Sequence, residues 1–467
     1  MKYPLSSTSM KRRSFLRHSL TTTLGIGAGV TLLSGAATAQ GTAANSRVNI
    51  ALVGCGGRGT QLLHGFGYPN NTHITGFQEF DDVNVVYCCD LQRGKGEAAA
   101  QKSHSKYEPE MRRVLDDKSV DAVICAAPDH WHALGAILAM QAGKDVYTEK
   151  PASQSGWEGQ KMVEAARKYK RICQVGVQNR SAAYNAAAKK YIEDGKLGKV
   201  HLVRVFNQKQ EMNSFKIKTG EPVPGGFDWG AWLGPAKERP YSSTILNRNW
   251  HELWDFSSGD VLNDGVHQID LARWLAGVEI PKTAYCVGGR FSDPKSDAET
   301  PDTELATYEY DDMTFTVEAT HYTAYMYKID ADVRQTDTFP YWQQCATRIE
   351  LYGEKGLMMV GRHGGGWQVF ERPKNRQANV TAQEYGRFPE AEHKRNFLDC
   401  IKTRELPNAD IEKGHRSTSL VHYATISYRL GGLKLDIDTQ TGVPKNPDAA
   451  QYWKRDYRSP YTVPENV

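Results

Sequence analysis

Along the first third of the chain the apolar positions gather in short runs: Val48–Val53, Val83–Cys89, Ala122–Ala126, Asp145–Tyr147 and Ile172–Val177. They are rich in β-branched residues and do not alternate with polar ones, which predicts strands buried on both faces. Helix-like stretches, such as Leu134–Ala142 and Gly156–Tyr169, lie between them. This alternation predicts an α/β Rossmann domain over 46–175, with a doubly wound parallel sheet.

Beyond Val177 the pattern changes. A helix over Ala186–Asp194 is expected to stop at Gly195 and Gly198. Longer strand-like runs follow at His201–Asn207, Thr283–Phe291, Thr303–Tyr310 and Met313–His321. Asp311-Asp312 closes one hairpin, and Gly353-Glu354-Lys355-Gly356 joins Arg348–Tyr352 to Leu357–Val360. Asn263–Ala276 reads as a helix, and 208–250, with its Gly, Pro and Trp, as an irregular insertion. The expectation for 176–435 is an α+β domain with a large, mostly antiparallel open sheet. Residues 436–467 read as a C-terminal tail without helical period.

The N-terminus has a different texture. Lys11-Arg12-Arg13-Ser14-Phe15-Leu16-Arg17 precedes an apolar run from Leu20 to Leu33 and the small-residue site Ala37-Thr38-Ala39. This order predicts a twin-arginine signal peptide over 1–39 and a periplasmic or otherwise exported mature protein. The run is short and rich in Gly and Thr, which disfavours a permanent anchor. No later segment is long and apolar enough to predict a membrane span.

Composition narrows the function classes. The 467 residues are 40% hydrophobic and 24% charged, as in a globular protein. The formal net charge is +4, and Lys11, Arg12, Arg13 and Arg17 leave with the signal. A nearly neutral mature chain gives no electrostatic reason to expect nucleic acid as a partner. The eight cysteines form no CxxC pair and no zinc-like cluster with histidine, so free buried thiols and no metal are expected.

The chemistry begins at Gly54-Cys55-Gly56-Gly57-Arg58-Gly59, directly after a strand and before a helix. Gly54, Gly56 and Gly59 have the G-x-G-x-x-G spacing. The first permits a tight turn, the second lets backbone approach a pyrophosphate, and the third lets the helix pack closely. Gly57 and Arg58 share the loop. Asp90, ending the second strand, is placed to accept from adenosine ribose hydroxyls and would repel a 2′-phosphate. That favours NAD, although Arg93 lies near enough in sequence to serve NADP. Asp90 comes late, so an insertion around Pro69–Phe80 is expected. Ala126-Ala127-Pro128-Asp129-His130-Trp131-His132 follows the fourth strand, where doubly wound sheets bind ligands, which makes Pro128 and His132 cofactor-side candidates. Thr148-Glu149-Lys150-Pro151 follows the next strand, with Lys150 at the cleft mouth. Beside a nicotinamide cation its ammonium pKa is expected to fall, so that it can relay a proton.

Glu149-Lys150-Pro151 at this distance from the glycine loop resembles the Gfo/Idh/MocA (glucose–fructose oxidoreductase / inositol dehydrogenase / rhizopine catabolism) family. Gly176-Val177-Gln178-Asn179-Arg180, Trp232-Leu233-Gly234-Pro235, Gly259 to Asp270, Leu351 to Gly356, Asn396 to Cys400 and Asp456 to Pro460 are also similar to that family's motifs. The resemblance implies an NAD(P)-dependent oxidoreductase acting on a hydroxyl or ketone of a sugar, cyclitol or glycoside. It implies a catalytic Lys150, His267 as acid/base near the reacting hydroxyl, and Glu149, Lys150 and Gln178 on the cofactor side. A histidine near its unperturbed pKa suits that role. The sequence departs at Asn263: many members carry aspartate four residues before the histidine. Either the neighbouring Asp264 substitutes, or Lys150 and His267 share the proton alone. Arg248 and Trp250 are candidate substrate contacts, with His321, Tyr322, Arg362 and His363 as further polar candidates. The remaining tryptophans of the second half read mainly as packing residues.

Nicotinamide cofactors are made in the cytoplasm, so a protein exported folded is expected to carry its own, tightly bound. Two alternatives stay open: a glycoside-cleaving enzyme that oxidises its substrate transiently, and a non-catalytic sugar- or NAD-binding relative. The resemblance also implies a homo-oligomer formed through the second-domain sheet.

Overall fold

The computed structural model describes residues 47–65, 74–208, 214–327, 333–334 and 336–467. The expected export signal and part of the expected Pro69–Phe80 insertion lie outside the described residues.

Six parallel strands form the first sheet: β1 Val48–Val53, β2 Val83–Cys89, β3 Lys106–Glu108, β4 Ala122–Cys125, β5 Asp145–Thr148 and β6 Cys173–Val175. Their order is β3-β2-β1-β4-β5-β6. Helices α1 Gly57–His64, α2 Arg93–Ser103, α3 Met111–Asp116, α4 Asp129–Gln141 and α5 Gly156–Lys168 complete the doubly wound layers. Burial on both faces explains the apolar runs: every residue of β4 and β5 is buried. Ser155 caps α5 by accepting from Glu158 N at 3.3 Å, and Glu158 Oε2 accepts from Gln154 N at 3.0 Å. The strand order reverses between β1 and β4, so the loops after these two strands open a crevice at their carboxyl ends.

After α6 (Ala183–Glu193) comes a nine-stranded sheet in the order β14-β13-β12-β11-β7-β10-β9-β8-β15. Its strands are β7 Val200–Gln208, β8 Thr283–Gly289, β9 Thr303–Glu309, β10 Thr314–Thr320, β11 Arg348–Gly353, β12 Leu357–Gly361, β13 Trp367–Lys374, β14 Gln377–Glu384 and β15 Leu435–Asp436. All pairings are antiparallel except β7 with β10. Both expected hairpins are present, since β9 pairs β10 and β11 pairs β12. Strands β9 and β10 alternate buried and more exposed positions, the mark of a sheet with one covered face. The helices Asp260–Ala276 and Ile411–Arg429 lie on that face, with Val266, Ile269, Leu420 and Val421 in a core shared with Val203, Val205 and Phe315. All eight cysteines are buried and free, as expected.

Residues 436–467 do more than trail away. A short helix, Ala450–Trp453, stacks Trp453 on Tyr423 with ring centroids 5.7 Å apart. The chain then runs back over the Rossmann domain as a strap. Arg455 Nε donates to Glu158 Oε1 at 2.7 Å, Arg455 Nη2 donates to the His130 carbonyl at 2.9 Å, and Val463 and Val467 join the first sheet's core. The absence of helical period was legible; this return was not.

Candidate active site

A cleft of about 1240 Å³ opens at the carboxyl ends of β1, β2, β4 and β5. Gly54, with φ 92°, turns the chain out of β1; a Cβ there would lie 2.5 Å from Ala127 N. A Cβ on Gly59 would sit 1.9 Å from Gly54 O, so α1 presses on the turn. Gly56 and Gly57 differ, because no atom lies within 4 Å of where their Cβ atoms would be. That space belongs to the cleft, at the start of α1, and is where a pyrophosphate fits. Asp90 Oδ2 accepts from Cys55 N and Oδ1 from Gln92 N, both at 2.7 Å. Burial pushes its carboxyl above the ordinary value, and the two N–H donors pull it back. The remaining lone pairs are enough for ribose hydroxyls. These residues fit NAD. Arg93 does not join them: it pairs with Glu97 at 2.8 Å, with 78% of its side chain exposed.

Lys150 follows β5 and lines the same cleft. Its Nζ donates to Asn263 Oδ1 at 2.8 Å. Asn263 Nδ2 donates to Asp129 Oδ2 and, at 3.0 Å, to Ser257 Oγ; Ser257 Oγ in turn donates to Asp129 Oδ2 at 2.7 Å. Asn263 is therefore a buried partner of the lysine. Asp264 does not replace the missing aspartate as a free base. Its carboxylate receives Arg362 Nη1 at 3.0 Å and Nη2 at 3.2 Å, a two-point pair that occupies both oxygens.

His267 also lines the cleft and is 6% exposed. The expectation of an unperturbed histidine is corrected here. Burial, then the charges of Arg362 and Lys150, lower its pKa well below the ordinary value, against a smaller opposing effect of Asp264. Its Nδ1 is buried without a hydrogen-bond partner. At neutral pH this imidazole is uncharged and carries one basic nitrogen.

Glu149 faces the glycine loop. Arg58 Nε donates to Glu149 Oε1 at 2.7 Å, and Arg58 Nη1 to Glu390 Oε1 at 3.1 Å and Gln61 Oε1 at 2.5 Å. Turned to satisfy both its neighbours, the Gln178 amide accepts from Arg58 Nη2 at 2.6 Å and donates to Gly176 O at 3.0 Å. Burial alone would raise the Glu390 carboxyl, but Arg58 and Lys394 hold it down to about 2. Arg58 thus ties the glycine loop to the Glu149 turn and to the helix Glu390–Thr403.

Pro128 lines the cleft as expected. His132 reaches its wall, but both ring nitrogens face carbonyl oxygens, Pro151 O at 2.7 Å and Ala127 O at 2.8 Å. It braces the Lys150–Pro151 turn, and its polar atoms are not offered to a ligand. Arg248 and Trp250 lie on the second-domain side of the cleft, with Trp250 stacked on His251 at 3.6 Å between ring centroids. Arg362 and His363 line it too; His321 and Tyr322 do not. Most tryptophans pack as expected, Trp229 on Trp232 at 4.7 Å for example, but Trp232 also reaches the cleft. Four contributors carry no role in the sequence reading. Asp129 stands in the segment after the fourth strand, and Glu390 meets Arg58 across 332 positions of sequence. Pro460 and Tyr461 of the strap line the cleft, Tyr461 lying 5.5 Å from the Trp131 ring. Asp129, one residue after Pro128, and Pro460, in the Asp456 to Pro460 motif, had a local signal; Glu390 and Tyr461 had none.

Residues 48–177 match the model of the oxidoreductase family with an NAD-binding Rossmann fold, and 236–359 match the GFO/IDH/MocA C-terminal domain. The chain is 25% identical over 331 residues to the NAD(+)-dependent scyllo-inositol 2-dehydrogenase of Bacillus subtilis, covering 70% of this chain and 80% of the relative. It is 35% identical over 182 residues to the levoglucosan dehydrogenase of Pseudarthrobacter phenanthrenivorans, 39% of each chain. Its fold is similar to the aldose–aldose oxidoreductase of Caulobacter crescentus, with TM-score 0.60 and 17% identity over 84% of this chain and 100% of that one. It is also similar to the WlbA dehydrogenase of Bordetella pertussis in complex with NADH and UDP-GlcNAcA, with TM-score 0.59 and 20% identity over 84% of this chain and 99% of that one. With two family models together spanning more than half of its length, and a glycine loop, lysine and histidine gathered in one cleft, the chain belongs to the Gfo/Idh/MocA family of NAD-dependent oxidoreductases.

Proposed function

We propose that this protein oxidises a hydroxyl of a sugar, cyclitol or glycoside, or reduces the matching ketone, and that it is exported through the twin-arginine pathway with its cofactor already bound. The observation that carries the reaction is the single cleft shared by Gly56, Lys150 and His267. The relatives named for inositol and levoglucosan oxidation support the substrate class. The Arg12-Arg13 signal supports the route.

The glycine loop and Asp90 would hold NAD, which would supply the hydride acceptor. One of the three Lys150 Nζ donors goes to Asn263 Oδ1. The other two can hold the substrate oxygen and steady the alkoxide character that grows as its proton leaves. Neutral His267 takes that proton on its basic ring nitrogen. The imidazolium so formed is disfavoured by Arg362 and Lys150, so the proton does not rest there. In the reductive direction the same groups return it.

A homo-oligomer through the outer face of the nine-stranded sheet is part of this proposal. Tyr285, Val287 and Leu305, 39%, 39% and 45% exposed, form an apolar patch on β8 and β9.

The deciding experiment is an absorbance spectrum of the purified mature protein with no cofactor supplied, before and after a panel of glycosides and free sugars. A rise in the reduced-nicotinamide band, with a ketone as product, is expected. An unchanged spectrum, with no cofactor released on denaturation, contradicts the proposal. Hydrolysis without a ketone identifies the glycoside-cleaving alternative instead.

A further inference from the structure

Asn263 is the one position where the site carries an amide in place of the expected carboxylate, and three side chains fix what that amide does. Lys150 Nζ has only donors, so the atom facing it must be an acceptor. An ionised aspartate has only acceptors, so the atom facing Asp129 must be a donor. The observed arrangement satisfies both: Asn263 Oδ1 receives Lys150, and Nδ2 is given to Asp129 Oδ2 and Ser257 Oγ. Asp129 is 3% exposed, Asn263 1% and Ser257 0%, so water does not compete for these bonds. A flipped amide would set NH2 against ammonium and carbonyl against carboxylate, two repulsive contacts in a buried site.

From this geometry we infer that Asp129 is a positioning residue for Lys150: through its hydrogen bond it locks the polarity of the Asn263 amide, and so holds the ammonium by a neutral relay. The negative charge stands one side chain further from the lysine than a carboxylate at 263 would place it. Asp129 comes from the start of α4 and Asn263 from the helix Asp260–Ala276, so the relay also ties the second domain to the catalytic turn. The inference rests on the proposed function only in taking Lys150 as catalytic. Its geometry is independent of which sugar is oxidised.

The test is a charge exchange with two readouts. One is kcat on the substrate found with the wild-type protein. The other needs no substrate: the rate at which an acylating reagent labels Lys150, followed by mass spectrometry of its peptide. Asp129→Asn frees the amide to flip, and is expected to lower kcat by about 10- to 100-fold and raise Lys150 labelling several-fold, with NAD affinity within about twofold of wild type. Asn263→Asp sets two carboxyl groups in contact, which can coexist only by sharing a proton, and is expected to be impaired as well. The double variant D129N/N263D again offers Lys150 an acceptor and gives residue 263 a donor. It is expected to recover to within about tenfold of wild type and to restore slow labelling.

The inference is overturned if Asp129→Asn leaves both readouts unchanged, or if the double variant is no better than Asn263→Asp alone. The second comparison stands even if Asp129→Asn does not fold. If no sugar is oxidised by the wild type but labelling follows the exchange, the proposed function fails and the relay stands. If Lys150→Ala abolishes turnover while the exchange moves neither readout, the relay fails and the function stands.

Discussion

The residues of the glycine loop differ sharply in what they tolerate. A methyl group at Gly59 meets the Gly54 carbonyl, while one at Gly56 meets only the open cleft. Gly59→Ala should therefore destabilise the fold by a few kcal/mol, visible as an earlier thermal transition. Gly56→Ala should melt like wild type yet lose NAD affinity by tenfold or more, about 1.4 kcal/mol, in a titration. Equal melting and equal affinity for both variants would contradict the assignment. Lys150→Ala should lower kcat by about 10³-fold while still binding NAD; retained turnover would remove the lysine from the chemistry. The loop was legible because its requirement is local: backbone freedom at fixed spacing. The state of His267 was not. The charge of Arg362, which lies 95 positions further along the chain, and the burial that together depress its pKa exist only after folding.

Among the elements, the strands buried on both faces could be read directly, since their runs are short and rich in β-branched residues, which favours a strand over a buried helix. The helix Ile411–Arg429 could not. It is buried on nearly every side and filled with Ser417, Thr418, Ser419, His422, Thr425 and Ser427, residues of modest helix propensity that leave no single apolar stripe. Only some of its polar groups find partners outside the helix: Ser417 donates to Asp270 Oδ1 at 2.6 Å and Ser427 to Leu433 O at 2.7 Å, whereas Thr418 and Ser419 donate back to the carbonyls of Gly414 and His415 one turn earlier. The hairpin β13–β14 was hidden for another reason. Pro373 and a run of charged residues oppose a strand reading, and the turn at Asn375-Arg376 takes positive φ, 52° and 63°, without glycine. The strap over the first domain carries its own test. Deleting 455–467 removes Tyr461 from the cleft and the Arg455–Glu158 pair from α5. NAD should then dissociate at least tenfold faster in a fluorescence chase, with the nine-stranded sheet intact by hydrogen exchange. An unchanged rate would make the strap purely structural.

For the molecule as a whole, pH is the most general probe. Burial brings His130 and His422 down to about 3 and His393 to about 4, and His267 is lowered well below its usual value. Unfolded histidines take up protons near pH 6.5, so below that the unfolded chain binds more protons than the folded one, and stability falls as pH falls. Each such histidine adds a slope of up to about 1.4 kcal/mol per pH unit. Glu304 opposes them, because burial pushes its carboxyl well above the ordinary value. The thermal midpoint should drop steadily between about pH 7 and about pH 5; a midpoint that holds or rises would contradict the balance. If the β8–β9 face is an oligomer contact, Leu305→Lys should shift the scattering mass toward the monomer, with kcat changing less than about twofold. The strap has a further consequence, for the order in which this protein is made. The first sheet is complete at Val175, but part of the lining of its cleft is supplied by Pro460 and Tyr461. At ordinary translation rates a ribosome needs roughly 15–60 s to bridge that gap. During that interval the first domain can fold with this part of its cleft still missing, so the cleft reaches its final lining only as synthesis ends.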